Sequence, residues 1–135
     1  MLFRSYFNVY GPREPRRGEY APVMGLFKKQ VYESKPMTVV GDGEQRRDFT
    51  YIDDVVAANL LAAENLDVHG IVNIGTGRNY SINDLTMMIG GRDARVEHLP
   101  ERVGETRITL ADNTRARLEL GWEPKVSLVD VINSY

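Results

Sequence analysis

The chain has 135 residues, 42% hydrophobic and 27% charged, which is enough for one ordinary domain and short for two. A formal net charge of -2 argues against an electrostatic nucleic-acid binder, and the lack of cysteine excludes disulfides and thiolate metal sites. No segment is apolar enough to span a bilayer and Met1-Leu2-Phe3-Arg4 opens no apolar leader, so a cytoplasmic protein without membrane partners is the expectation.

Leu2 to Tyr10 is rich in aromatic and apolar types and predicts a buried strand, stopped by Gly11-Pro12. Arg13 to Glu19 is polar and turn-prone. Val23, Leu26, Phe27, Val31 and Tyr32 then recur at helical spacing, which predicts a helix from Tyr20 to Ser34 with Pro22 in its first turn. Met37 to Val40 and Asp48 to Ile52 read as short strands on either side of a glycine turn. Asp53 stands where a helix N-cap belongs, before an Ala-rich helix over 54–65. Gly70 to Ile74 is a further strand and ends in Gly75-Thr76-Gly77.

Ser81-Ile82-Asn83-Asp84 has the form of a capping box, with Asp where Glu is usual, and opens a helix that Gly90-Gly91 ends. Ala94 to Leu99 alternates like a strand, and Arg102 to Leu110 is extended or looped. Asp112 or Asn113 caps a helix through Leu120, Gly121 sits where a C-terminal glycine belongs, and Trp122 packs back on it. Ser127 caps a last helix that runs into Tyr135. The chain is thus mixed α/β, and no single right-handed series of alternating strands and helices accounts for it. It opens directly in a strand and ends inside a helix, which gives the expectation of a fragment.

The stretch from Gly41 to Asp54 concentrates the chemistry. It joins a strand, the turn Gly41-Asp42-Gly43, the pair Arg46-Arg47, a second strand and a helix start. Such a frame fixes a cationic bracket, and the planar fork of an arginine grips a phosphate with two parallel hydrogen bonds. His69 and His98 lie far apart with no metal-ligand spacing.

Tyr6-Phe7-Asn8-Val9-Tyr10-Gly11-Pro12-Arg13, the Gly41-Asp42-Gly43 turn with Arg47-Asp48-Phe49-Thr50-Tyr51-Ile52-Asp53-Asp54, and Asn73-Ile74-Gly75-Thr76-Gly77 follow one another in order. With Ala111-Asp112 and Leu120-Gly121-Trp122-Glu123-Pro124, they make the chain resemble the C-terminal half of the NAD-dependent epimerase/dehydratase family, from about Arg4 onward. These are extended short-chain dehydrogenases acting on nucleotide-diphosphate sugars, UDP-glucose 4-epimerase among them. The family's glycine-rich NAD loop and its Tyr-x-x-x-Lys pair do not occur here. The stretch between Leu85 and Val96 is shorter than usual, and the common Arg-Pro-Gly-Asp stands as Arg102-Val103-Gly104-Glu105.

The resemblance implies an α/β fold: a substrate-binding lobe plus the last strands and helix of a Rossmann-type domain whose N-terminal half is absent. Residues 1–135 form that portion, with about 1–10 and 52–75 in the Rossmann sheet layer. It implies NAD as cofactor, with the main binding loop outside this chain. The implied partner is a nucleotide-diphosphate sugar, beside a homodimer or a complementing N-terminal half. No residue here is implied to be catalytic.

By resemblance, Arg47 contacts the substrate's diphosphate, against the reading of a surface arginine paired with Asp48 or Glu44. Asp48 would orient Arg47. Arg46 is an ordinary solvated neighbour. Arg102 is the second clamp, and Glu105 meets the ribose hydroxyls or faces solvent. Arg107 is a third cation or a surface residue. Asn8 donates to a phosphate oxygen or stabilises a turn. Tyr6 borders the nicotinamide and Phe7 the sugar, against plain core aromatics. Thr38 and Val40 lie on a strand whose backbone meets the base, and Val23 lines the same pocket. Dehydratase, decarboxylase and reductase chemistry, or sugar-nucleotide binding without chemistry, remain alternatives. Without the absent sheet, the opening strand and the 70–74 strand would present unpaired edges and an apolar face, so the isolated chain is expected to be marginally stable or self-associating.

Overall fold

A computed structural model describes residues 2–18 and 21–134. The strands pair as four short ladders instead of one sheet. β1 (Leu2–Tyr6) runs parallel to β6 (Gly70–Ile74), with Phe3 opposite Ile71 and Ser5 opposite Asn73. β2 (Val9–Tyr10) runs parallel to β5 (Thr50–Tyr51). β3 (Met37–Val40) is parallel to β8 (Val96–Leu99), and β4 (Arg46–Asp48) is antiparallel to β7 (Asn79–Ser81). Three of the four ladders are parallel, and parallel strands need a crossover between them, so each pairing reaches far along the chain. The expected α/β class is met, and so is the absence of one continuous series.

Five α-helices are seen among the described residues: α1 (Val23–Tyr32), α2 (Ile52–Glu64), α3 (Ile82–Gly90), α4 (Thr114–Glu119) and α5 (Leu128–Asn133). α1 starts later than its periodicity suggests. Pro22 flanks it instead of entering its first turn, and Tyr20, the predicted start, lies outside the described residues. In its first turn a Cβ on Gly25 would lie 2.3 Å from the Pro15 carbonyl, so helix and loop meet at backbone distance. α2 starts one residue before Asp53, with Tyr51 at the N-cap position and no side-chain cap bond. Asp53 is therefore a first-turn residue, still favourably placed at the positive end of the helix. Ser81 and Asp84 close the expected capping box reciprocally, at 2.9 Å each way. Ser127 flanks α5 without a side-chain cap bond.

Two apolar cores result. In one, Phe27 and Met24 of α1 meet Met37 and Val39 of β3, Leu85 of α3, Leu128 and Ile132 of α5, and the rings of Tyr10 and Phe49. In the other, Val55, Ala58 and Ala62 of α2 pack on Val72 and Ile74 of β6 and on Ala116, Leu120 and Trp122. The small residues on α2 let β6 and the indole approach closely. Gly121, at a φ of 63°, reverses the chain after α4 so that the Trp122 amide returns to the Ala116 carbonyl at 3.1 Å, as the position of the glycine predicts. The strand expected over 48–52 is broken at Phe49, which turns its ring inward between β4 and β5. No described helix is long and apolar enough to cross a membrane.

Candidate functional site

Asp48 organises the neighbourhood of the arginine pair. It is fully buried and faces backbone amides, not Arg47. Its Oδ1 accepts from the Thr76 amide at 2.9 Å and the Thr76 hydroxyl at 2.6 Å, and its Oδ2 from the Gly77 amide at 2.9 Å and the Ala111 amide at 3.1 Å. The turn Gly75-Thr76-Gly77 is therefore an internal carboxylate cradle. The Thr76 and Gly77 amides are committed to Asp48. Gly75 is required here because a Cβ would lie 2.4 Å from that of Ala111. The expected partnership of Asp48 with Arg47 is thus corrected: a residue bonded by four donors has no lone pair left for a neighbour.

Successive side chains on a strand point to opposite faces, so the burial of Asp48 places Arg47 on the other face of β4. Arg47 Nη1 donates to the Arg46 carbonyl at 2.9 Å and the Arg107 carbonyl at 3.4 Å, and Nη2 lies 3.4 Å from Glu105 Oε1. Its side chain is only 13% exposed. The neighbour expected to be merely solvated, Arg46, is also held, by Asn79 Oδ1 at 2.9 Å and the Asn79 carbonyl at 3.1 Å. The segment after Arg102 comes alongside β4: the Arg46 amide donates to the Arg107 carbonyl and the Thr109 amide to the Arg46 carbonyl, at 2.9 and 3.0 Å. This is how Glu105 reaches Arg47 across 58 residues of sequence.

Arg102 and Glu105 belong to one turn, with Gly104 at a φ of 83° and the Glu105 amide 3.4 Å from the Arg102 carbonyl. Both line a cavity of about 150 Å³ with Val40, Gln45, Asp42 and Arg107. Arg107 forks onto Asp42 at 2.8 and 2.9 Å. That fork, joined by the Glu44 amide, holds the Asp42 carboxyl down at about 2. Arg102 is in no ion pair among the described residues. Arg102 and Arg107 thus share one cavity, Arg102 in no ion pair among the described residues, while Arg47 is joined to its lining through a single long ion pair to Glu105.

The remaining predicted residues fall elsewhere. Asn8, at a φ of 32°, donates from Nδ2 to the Asp48 carbonyl at 3.1 Å and to Thr109 Oγ1 at 3.3 Å, clasping β4 to the 107–109 segment. Asn8 and Val23 line a second cavity of about 280 Å³ with Tyr10 and Phe49, so Val23 does not join Val40. Thr38 is tied to Gln30: its amide donates to Gln30 Oε1 at 3.0 Å and its hydroxyl accepts from Gln30 Nε2 at 2.9 Å. The Val40 carbonyl already accepts from Gln45 Nε2 at 2.9 Å. Phe7 is half-buried and its amide donates to the Ile74 carbonyl at 3.2 Å. The Tyr6 hydroxyl donates to Asn59 Oδ1 at 2.7 Å, away from both cavities.

Sequence reasoning missed Gln45 and Asp42. Gln45 is nine-tenths buried yet lines the cavity, and a lone buried amide between a glycine turn and an arginine pair was the available signal. Among the described residues no group of His, Asp and Glu could hold a metal ion.

Residues 2–75 match the NAD dependent epimerase/dehydratase family. The UDP-glucuronate 4-epimerase of Thermodesulfobacterium geofontis is 37% identical over 129 residues, covering 91% of this chain and 38% of its own length. The UDP-glucose 4-epimerase of Mycolicibacterium smegmatis is 38% identical over 128 residues, covering 93% and 41%. The crystal structure of UDP-glucose 4-epimerase from Thermotoga maritima, solved with UDP-glucose, superposes with a TM-score of 0.88 at 42% identity, over 97% of this chain and 43% of that one. The chain spans about two-fifths of the length of these relatives. With more than half of its residues matched and the fold shared, the chain belongs to the NAD-dependent epimerase/dehydratase family.

Proposed function

We propose that this chain is the substrate-holding portion of an NAD-dependent UDP-sugar 4-epimerase, and that it binds the nucleotide-diphosphate part of the substrate. The observation that carries the reading is the convergence of Arg102, Glu105 and Val40 on one cavity, with Arg47 ion-paired to Glu105. A diphosphate replaces the long ion pair of Arg47 to Glu105, at 3.4 Å, with charge-assisted hydrogen bonds and gives Arg102 its missing counter-ion. Released from Arg47, Glu105 is free to accept from ribose hydroxyls. The base lies toward Val40, whose carbonyl keeps a second lone pair, and the sugar end runs past Arg47 toward Asn8, Phe7 and Val23. Thr38 serves the base indirectly, by fixing β3 through Gln30.

NAD supplies hydride removal and return at the sugar's C4 when bound, and Tyr6 borders it from this side. The glycine-rich loop expected for its phosphates does not occur in this sequence. This chain contributes placement: holding the sugar rigidly against the reacting centre is itself a large share of catalysis. Residues about 1–10 and 52–75 form the layer that joins a complementing N-terminal half. Ile71 and Leu60, 63% and 62% exposed, are the apolar surface expected of such a junction, or of a homodimer.

The test is calorimetric titration with UDP, dTDP and GDP, with Arg47→Ala as control. UDP binding that falls by roughly ten-fold or more in Arg47→Ala is expected, since a hydrogen bond to a charged group contributes about 1.5–3 kcal/mol. Affinity unchanged by removal of either Arg47 or Arg102 refutes the assignment. The chain alone is expected to turn over no UDP-glucose, and mixing with a family N-terminal half is expected to restore turnover.

A further inference from the structure

Asp54, six residues beyond Asp48, is the second buried carboxylate that binds backbone. It accepts from the Lys125 amide at 3.1 Å on both oxygens and from the Val126 amide at 3.1 Å, while its own carbonyl accepts from the Trp122 indole at 2.8 Å. Between the two aspartates, Phe49 floors a cavity of about 280 Å³ with Leu128, under Arg78, Tyr80, Lys125 and Ser127. The cavity has two walls, the 76–80 turn and the 124–128 segment. The first is pinned by Asp48 through the Thr76 and Gly77 amides, the second by Asp54 through the Lys125 and Val126 amides. Each wall is thus fixed at its backbone by a buried charge, so the groups it carries are presented on a preorganised frame.

Those groups are uncommitted. Among the described residues the Arg78 and Lys125 side chains are in no ion pair, and the Tyr80 and Ser127 hydroxyls make no hydrogen bond. The nearest carboxylate in sequence, Glu123, is turned to Arg117 at 3.6 Å. Arg78 and Lys125 are both exposed and in no ion pair among the described residues, which leaves a local positive field at this cavity inside a protein of net charge -2. The floor is apolar, and the space is larger than a lone tetrahedral anion needs. No residue is shared with the cavity of Arg102 and Glu105.

We propose that this cavity binds a small organic phosphate, with its dianion between Arg78 and Lys125 and its carbon body over Phe49, Pro124 and Leu128. The site is independent of the diphosphate site proposed above. It is tested in the chain carrying Arg47→Ala and Arg102→Ala, which silences that other site, by following amide resonances during titration with glucose 1-phosphate, inorganic phosphate and glucose. Saturable shifts confined to residues 76–80 and 124–128 are expected with glucose 1-phosphate, weaker ones with inorganic phosphate, and none with glucose. Arg78→Ala or Lys125→Ala should each weaken binding by roughly ten-fold, and Lys125→Arg should retain it. Equal affinity for inorganic and organic phosphate overturns the proposal. So does unchanged affinity in the Arg78→Ala/Lys125→Ala variant, or an absence of saturable shifts at those residues.

Discussion

Asp48→Asn separates a buried carboxylate that holds backbone from one that merely fills space. The substitution keeps the volume and removes the charge. In the native structure each carboxylate oxygen takes two donors: Oδ1 the Thr76 amide and hydroxyl, Oδ2 the amides of Gly77 and Ala111. An asparagine offers one oxygen, and its NH2 group must face one of the two donor pairs, so donors meet donors in a fully buried place. Each buried group left unsatisfied costs about 1–3 kcal/mol, and breaking a buried charged network typically costs about 3–5 kcal/mol. Against the roughly 5–15 kcal/mol of stability of an ordinary domain, a loss of about 3 kcal/mol is severe. The measurement is urea unfolding of wild type, Asp48→Asn and Asp48→Ala, compared at constant denaturant slope. Asn should be nearly as destabilising as Ala. If Asp48→Asn stays within about 1 kcal/mol of wild type, the fourfold acceptor role is wrong.

Gly25→Ala should destabilise by about 1–3 kcal/mol or more, because the new methyl meets an immovable carbonyl of Pro15 at 2.3 Å, and a variant as stable as wild type in the same unfolding assay would show that helix and loop are not in contact. The pH response of Asp42 follows from its carboxyl being held down at about 2 against an ordinary 3.8. Because the folded value is the lower one, the contribution of the Asp42–Arg107 pair is complete above about 3.8 and is lost as pH falls toward about 2. A carboxyl NMR titration reads this directly. Arg107→Ala should return Asp42 toward its ordinary value, and an unmoved titration would remove the guanidinium fork as the cause.

What could be read from the sequence depended on how far each residue reaches. The Ser81–Asp84 capping box closes within one turn, and the Gly121 reversal within the segment it ends, so both were visible as local patterns. Asp53 fits the same local rule for a cap, but α2 begins at Ile52 with Asp53 in its first turn, and the next residue, Asp54, is anchored on the distant 125–126 amides. The partners of Asp48 lie 28, 29 and 63 residues away, and no spacing rule points to them. Arg47 and Glu105 were linked by kinship alone, since only the pairing of β4 with the 107–109 segment carries one to the other. Yet the two aspects of the 47–48 pair are one physical fact. A strand alternates its side chains, so a carboxylate satisfied on one face places its neighbour on the other. The same four hydrogen bonds that bury Asp48 thereby fix the strand from which Arg47 meets Glu105. Disturbing Asp48 should therefore cost ligand affinity as well as stability, even though it touches no ligand. Affinity for UDP measured on the folded fraction of Asp48→Asn should fall, whereas a purely global role of Asp48 would leave it unchanged.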